Sequence, residues 1–538
     1  MGLKSIGGVG LLALTLAGCG PQRVERDLQA PVEEWPTYGN DAGSSRYSPL
    51  ADITKGNLRY LKVAWVYHTG DVSYANTLWN GKKVWAKSTF EATPLFVDGT
   101  LYVVSPFNRV IALDPETGRE KWVFDPNLDR IGYYGDAFTC RGLATWVDPE
   151  RRPGEVCRRT IYVATLDGRL VAVDSEGRGP CPAFGSNGEV ALTTGFQIPV
   201  KGEYHFTSPP TVVGEVVIVG SAINDNDRVE MESGVVRGYN ARTGALVWSF
   251  DPVPRDPTDP ARPTWQNGAD RTGAGNVWGP MSSDPKHDLV FLPTTSPSPD
   301  FFGGERKGEN RNADSLVALR ASTGKVVWAF QAVHHDLWDY DMPVPPMLFD
   351  VVRDGKRIPA VGAMTKNTLL FMFDRVTGEP LYPIEERPVP KGDVPGEWYS
   401  PTQPFPVKPP PLVRLSFKYP DDLAQVTPEH TATCRELLEN SGGGRNRGPF
   451  TPYSPEGALV MPYILGGATW SGGAFDPTLG YYIINTTDSG EMGIIRQQDS
   501  DPNAPAESPR LFGRPPSRVN IRDGGSLSVK GWPCWAKP

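Results

Sequence analysis

Ile111-Ala112-Leu113-Asp114-Pro115-Glu116-Thr117-Gly118, followed four residues later by Trp122, reads as a strand, a tight turn closed by glycine and the start of a second strand. The same pattern returns along the chain. Gly238-Tyr239-Asn240-Ala241-Arg242-Thr243-Gly244 leads to Trp248, and Val317-Ala318-Leu319-Arg320-Ala321-Ser322-Thr323-Gly324 leads to Trp328. Phe371-Met372-Phe373-Asp374-Arg375-Val376-Thr377-Gly378 is a weaker copy ending in Tyr382, and Val171-Ala172-Val173-Asp174-Ser175-Glu176-Gly177 is a degenerate one. The turn positions 117, 175, 243, 323 and 377 lie 54 to 80 residues apart. A period of that size, with several short strands in each unit, predicts a β-propeller.

Composition agrees with an all-β chain. Among 538 residues there are 58 Gly, 54 Pro and 15 Trp, and long amphipathic helix patterns are nearly absent. Short runs such as Leu101-Tyr102-Val103-Val104 and Val216-Val217-Ile218-Val219 recur between turn residues, as strands do. A net charge of -8, with no basic stripe to meet phosphates, excludes nucleic acid as the expected partner.

The first residues read as a targeting segment. Lys4 supplies a positive charge, and residues 6–16 form a short apolar run, too short to span a bilayer. Leu16-Ala17-Gly18-Cys19 resembles the lipobox of bacterial lipoproteins. That resemblance implies a signal peptide over residues 1–18, a lipid anchor at Cys19 and a linker over residues 19–34. Gly20 in place of Asp favours the outer membrane in the familiar sorting pattern, with the folded part on the periplasmic side. Five further cysteines remain at 140, 157, 181, 434 and 534. Disulfides are permitted in such a compartment, and an odd number leaves at least one thiol without an internal partner. Cys434 and Cys534, each read as lying in an irregular segment, are expected to pair, and Cys140 and Cys157 to close another loop. No Cys-x-x-Cys-His occurs, so no covalent c-type haem is expected.

Two features go beyond the repeat. Trp278 and Trp470 are each followed by Asp-Pro six residues on and by a Thr 16 residues on, and each has glycines close before it. Glycines beside an additional tryptophan suggest close approach of something flat. The second feature is Val333-His334-His335-Asp336-Leu337-Trp338-Asp339-Tyr340-Asp341. Read as a strand, it places Asp339 and Asp341 on one face, where they bind a cation or shift each other's pKa. The same alternation points His334 and His335 opposite ways, one as a hydrogen-bonding support and one as packed structure. The Pro-rich residues 380–411 read as an extended surface loop.

With these segments in view, the chain resembles the PQQ-dependent (quinoprotein) dehydrogenases, eight-bladed propellers, in their glucose/quinate-type branch. The likeness is carried by Trp35-Pro36-Thr37-Tyr38-Gly39, by Thr294-Thr295-Ser296-Pro297-Ser298-Pro299-Asp300, by the Thr-Gly units and above all by residues 334–341, and it covers residues 35–538. The resemblance implies oxidation of a sugar, polyol or other alcohol by hydride transfer to pyrroloquinoline quinone (PQQ), with Ca²⁺ or Mg²⁺, and electrons passed to ubiquinone or cytochrome c. It implies Asp339 as catalytic base. Trp278 would stack on PQQ, with Trp470 on the equivalent strand of another blade. Lys366 would meet the quinone oxygens, Arg141 a PQQ carboxylate, and Thr207 and Glu91 further polar contacts. For the metal it implies Asp339, Glu230 or Glu232, and Asp341 compensating for Ser296 where related enzymes carry asparagine. The five turn units plus the Trp470 blade suggest six or seven blades, so the propeller of residues 35–538 is expected to be incomplete. The competing reading is a non-enzymatic lipoprotein propeller of the outer-membrane assembly scaffold type, or an inactive fragment.

Overall fold

The computed structural model describes residues 33–226, 228–266, 268–440, 445–498, 518–523, 528–529 and 532–534. Cys19, the signal peptide and nearly all of the linker lie outside the described residues.

The repeat works through its turns. Asp114 Oδ1 accepts from the amides of Glu116 (3.2 Å) and Thr117 (2.9 Å) and from the Thr117 hydroxyl (2.8 Å). Asn240 holds Arg242 and Thr243 in the same manner. An Asx side chain thus takes up the donors freed as the chain reverses, and Gly118 closes the turn at φ +68°, which costs glycine nothing. Strands joined this closely pair with their sequence neighbours.

Four antiparallel sheets of four strands result among the described residues. They are Leu95–Val97, Thr100–Val104, Val110–Leu113 and Glu120–Phe124; Ala144–Val147, Arg159–Ala164, Arg169–Asp174 and Glu189–Ala191; Thr211–Val213, Val216–Val219, Val236–Asn240 and Leu246–Phe250; and Ser282–Asp284, Leu289–Pro293, Ser315–Arg320 and Val326–Gln331. Met347–Arg353, Lys356–Met364 and Leu370–Asp374 form a three-stranded sheet, and Gly473–Asp476 pairs with Tyr481–Ile484. The first strands touch one another: Thr211–Val213 meets both Ala144–Val147 and Ser282–Asp284, and Met347–Arg353 meets Gly473–Asp476. They therefore line a common axis, and the fold is a β-propeller. Side chains alternate between the two interfaces of a sheet. Ile161 and Val163 join the cluster shared with the preceding sheet, whereas Tyr162 and Ala164 join the one shared with the next.

The outer-strand tryptophans lock sheet to sheet. Trp122 Nε1 donates to Ser175 O (3.2 Å), Trp248 to Ala321 O (2.8 Å) and Trp328 to Arg375 O (3.1 Å). Each ring lies against the turn glycine of the following sheet, Gly177, Gly324 or Gly378, where a Cβ would collide with it. This explains the spacing of the repeat, including the degenerate unit, whose turn still receives Trp122. Trp65 docks in the same way on Pro115 O (3.0 Å) and Gly118. Yet residues 62–68 pair with no strand among the described residues, and Val63 and Val66 stay exposed.

A strap at the N-terminal end ties the ring across its axis. Ser283 N–H donates to Ala42 O, Leu348 N–H to Gly43 O and Phe475 N–H to Ser45 O, each at 2.8–2.9 Å.

Three expectations need correction. Residues 333–341 are not a strand: His335 and Asp339 take φ of +48° and +58°, so the period-two argument fails there. Residues 380–411 are more than a surface loop. Ile384–Pro388 pairs with Thr402–Pro406, and Gln403 and Phe405 are buried, Phe405 in the cluster around Trp338 and Tyr340. Cys157 bonds Cys181, not Cys140, because the Arg159–Ala164 and Arg169–Asp174 pairing brings their Cα atoms to 5.8 Å. Cys140 is a buried free thiol between the first two sheets. Cys434 and Cys534 do pair, with Cα atoms 5.3 Å apart. However, Cys434 lies on the helix Pro428–Asn440, and both cysteines are fully packed.

Replacing Cys157 and Cys181 by alanine should lower stability by about 3 kcal/mol, the chain-entropy value for a loop of this order. Urea denaturation under non-reducing conditions measures it, and a loss below about 0.5 kcal/mol would show that the bond contributes nothing through the unfolded chain.

Candidate active site

The propeller brings one end of its first strands together. Glu91, Arg141, Thr207, Trp278 and Trp470 stand three or four residues before Leu95–Val97, Ala144–Val147, Thr211–Val213, Ser282–Asp284 and Gly473–Asp476. First strands in a ring of meanders run the same way, so side chains just ahead of them collect at one mouth. Lys366 arrives there from the C-terminal end of the antiparallel second strand Lys356–Met364. A cavity of about 360 Å³ opens at this mouth, lined by Arg141, Trp278, Asp339, Asp341, Lys366 and Trp470 and also by Asp136 and Asp225.

Lys366 Nζ lies 2.6 Å from Asp339 Oδ1 and 3.1 Å from Asp341 Oδ2. Asp341 Oδ2 also accepts from Trp278 Nε1 (2.8 Å) and its Oδ1 from the Ser296 amide (2.8 Å). With both oxygens engaged, Asp341 orients Trp278 and Lys366. The Ser296 hydroxyl itself turns away, toward Asp336 and Asp314. The Arg141 guanidinium lies 5.2 Å from the Trp278 ring centroid and 4.7 Å from that of Trp470. It donates to the Thr207 hydroxyl, and its Nε is 3.2 Å from Glu91 Oε2 without the alignment of a hydrogen bond.

The loop carrying Asp339 is folded by Asp336, which accepts from the amides of Trp338 (3.0 Å) and Tyr340 (2.7 Å). Neither histidine lines the cavity. His335 is buried between Gly308 O and Glu397, and His334 bridges Gln331 and Glu386.

Glu230 and Glu232, expected near the metal, are elsewhere. Glu230 is exposed and pairs with Arg271 at 2.9 Å, while Glu232 pairs with Arg228 at 3.2 Å, beside a separate cavity. The acid this loop gives to the site is Asp225, just beyond Ala222–Ile223. The Asn224-Asp225-Asn226 turn was its only signal in the sequence, and Asp136, after Gly135, had less.

Charge in the cavity is unbalanced. Burial pushes the Asp339 carboxyl well above the usual range; Lys366 opposes this, and Asp341 and Asp225 add to it. Asp225 is pushed up to about 8 by burial and by repulsion from Asp341. Burial works to lower the Lys366 pKa, but Asp339 and Asp341 outweigh it and the net shift is upward. Carboxylates raised by burial and by one another's charge mark a place that favours a cation. Among the described residues no three His, Cys, Asp or Glu side chains converge as a complete ligand set. The carboxylates that line the cavity beside Lys366, namely Asp225, Asp339 and Asp341, are the ones that could hold an ion here.

Fold and site together define a class: a propeller whose mouth joins two tryptophans, two cations and a cluster of carboxylates around one cavity. The family described as "PQQ: Glucose/ethanol/alcohol dehydrogenase, beta-propeller domain" matches residues 35–538, and the chain belongs to it. It is 36% identical over 494 residues to the quinoprotein glucose dehydrogenase of Escherichia coli (strain K12), covering 88% of this chain and 59% of that protein. It is 36% identical over 487 residues to the quinate/shikimate dehydrogenase (quinone) of Acinetobacter baylyi, covering 87% and 58%. The crystal structure of the quinohemoprotein alcohol dehydrogenase from Comamonas testosteroni shares the fold, with a TM-score of 0.63 at 23% identity, over 90% of this chain and 63% of that one. The chain thus spans about three fifths of the length of the curated relatives it matches.

The site residues fit PQQ, a flat polyanionic o-quinone. Arg141 Nε is a buried donor without a hydrogen-bond acceptor, and two indoles border the cavity.

Proposed function

We propose that this chain is the propeller of a PQQ-dependent dehydrogenase that oxidises a sugar, polyol or other alcohol. The reading is supported by the Asp339–Lys366 pair at 2.6 Å facing a cavity walled by Trp278 and Trp470. PQQ, when bound with Ca²⁺ or Mg²⁺, supplies a quinone carbon that accepts hydride and an activated carbonyl. The chain's own residues do the rest. Arg141 and Lys366 receive the cofactor's anionic groups, and Trp278 offers a stacking plane. Lys366 engages Asp339 at Oδ1, leaving Oδ2 to accept the substrate's hydroxyl proton. Asp225 and Asp339 would hold the ion. Electrons would pass to ubiquinone or cytochrome c, and the protein would be anchored through Cys19 on the periplasmic side, at the outer membrane.

Titrating the purified protein with PQQ and Ca²⁺, then screening sugars, polyols and alcohols with a dye acceptor, tests the reading. Failure to bind PQQ overturns it in favour of a scaffold propeller. Trp278→Ala should weaken PQQ binding by about tenfold through lost stacking and a loosened Asp341, with the far-UV spectrum kept. An unchanged titration would make Trp278 a packing residue only. Cys19→Ser should release the protein from membranes; persistence after a carbonate wash would refute the lipid anchor.

A further inference from the structure

We propose that Asp136, backed by His205, selects the substrate of this cavity, accepting a hydroxyl hydrogen bond from a neutral sugar or polyol and disfavouring substrates with a carboxylate of their own. The inference rests on the proposed oxidation at the same site and names its substrate class. Relatives at equal identity are named for glucose and for quinate, so overall similarity leaves that choice open.

Depth places Asp136 on the substrate side. Arg141, Asp341 and Lys366 are only 2–5% exposed at the bottom of the cavity. The Asp136 side chain is 47% exposed, and Leu465, which shares the lining, 62%. A cofactor drawn to the two cations lies deep, and whatever enters after it passes Asp136.

Charge decides what can enter. Four carboxylates, Asp136, Asp225, Asp339 and Asp341, face two cations, and a polyanionic cofactor bound with one divalent ion would leave the balance negative. Each cation already has a carboxylate counter-charge beside it, Asp339 and Asp341 for Lys366 and Glu91 for Arg141, and the donors that remain, Arg141 Nε among them, are those the cofactor would take. Among the described residues no further side chain lining the cavity brings a positive charge for a substrate carboxylate. A hydroxyl can donate to Asp136, and such a bond to an ionised acceptor is among the stronger ones.

His205 fixes the selecting group. It is 1% exposed, neither ring nitrogen makes a hydrogen bond, and its Nε2 lies 3.4 Å from Asp136 Oδ2. The pairing of Tyr204–His205 with Ala222–Ile223 holds the ring, and Tyr134 meets it edge-on with centroids 6.2 Å apart. A buried imidazole with no other polar partner is a positioning residue for the one carboxylate it faces. Contact with His205, with help from Arg141, more than offsets burial and keeps Asp136 below the usual carboxylate range, hence an acceptor at neutral pH.

The test compares glucose with quinate on the whole protein, by kcat/KM after loading with PQQ and by titration calorimetry without it. The parent should favour glucose in both. Asp136→Asn should weaken glucose by roughly 10–100-fold, the range for a lost charge-assisted hydrogen bond, and narrow or reverse the preference. Asp136→Glu should fall between, and His205→Phe should shift the ratio the same way by less. A parent that prefers quinate, or an Asp136→Asn ratio within twofold of the parent, overturns the proposal. If PQQ never binds, the proposed oxidation fails separately, and the calorimetric preference still decides the role of Asp136.

Discussion

Replacing Asp339 by asparagine is expected to slow PQQ reduction by about 10²–10⁴-fold, the usual contribution of a positioned general base, with PQQ still bound. Asparagine keeps the shape and one oxygen toward Lys366 but removes the proton acceptor. The position is prepared for this use. Its backbone sits at φ +58° in a loop held by Asp336, and Lys366 meets its Oδ1 at 2.6 Å. Burial and neighbouring acids push its pKa up, with Lys366 opposing; a divalent cation beside it works in the same direction as the lysine. Stopped-flow reduction of loaded protein measures the step. A rate equal to the parent would remove Asp339 from the base role. Asp341→Asn should behave differently from Asp339→Asn, since Asp341 holds Lys366, Trp278 and the Ser296 amide in place. Its defect should include weaker PQQ binding that excess Ca²⁺ does not restore.

The second large effect is on stability. Arg375→Met should destabilise the fold by about 3–5 kcal/mol, the cost of breaking one side of a buried ion pair. Arg375 is fully buried, with Nε 2.6 Å from Asp284 and Nη1 2.9 Å from Asp350. Asp284 is itself fully buried on the first strand of the fourth sheet, so the arginine joins that sheet to the next. Without it, a buried carboxylate keeps only the half-buried His287 at 2.7 Å. Burial raises the Asp284 pKa, but hydrogen bonds from Arg375 and His287 bring it below the ordinary value of 3.8. A lowered folded pKa stabilises above the unfolded value, and that contribution disappears as pH falls through the folded one. The deficit of Arg375→Met should therefore be full at neutral pH and shrink below about pH 4. Adding Asp284→Asn should recover part of it. Urea denaturation between neutral and acid pH checks both; a loss under about 1 kcal/mol at neutral pH would show the pair to be replaceable.

The repeat was readable from the sequence because its determinants are local. Asp114 or Asn240 caps its own turn, the turn glycine needs a positive φ, and the tryptophan four residues on follows from the strand's length. Those facts determined an all-β propeller and the order of its sheets. Arg141, Trp278, Asp339 and Lys366 were named through resemblance to a family, and the structure brings them with Trp470 to one cavity. What the sequence could not decide was whatever depends on neighbours far along the chain. The left-handed residues His335 and Asp339 broke the alternation assumed for residues 333–341. The pairing of Cys157 with Cys181 came from strand register rather than loop position. Asp225 and Asp136 entered the cavity, and Glu230 left it for Arg271, because closure of the ring sets which turn residues face the axis. Local hydrogen bonding determined the blades; the charge of the cavity was decided only when blades distant in sequence met.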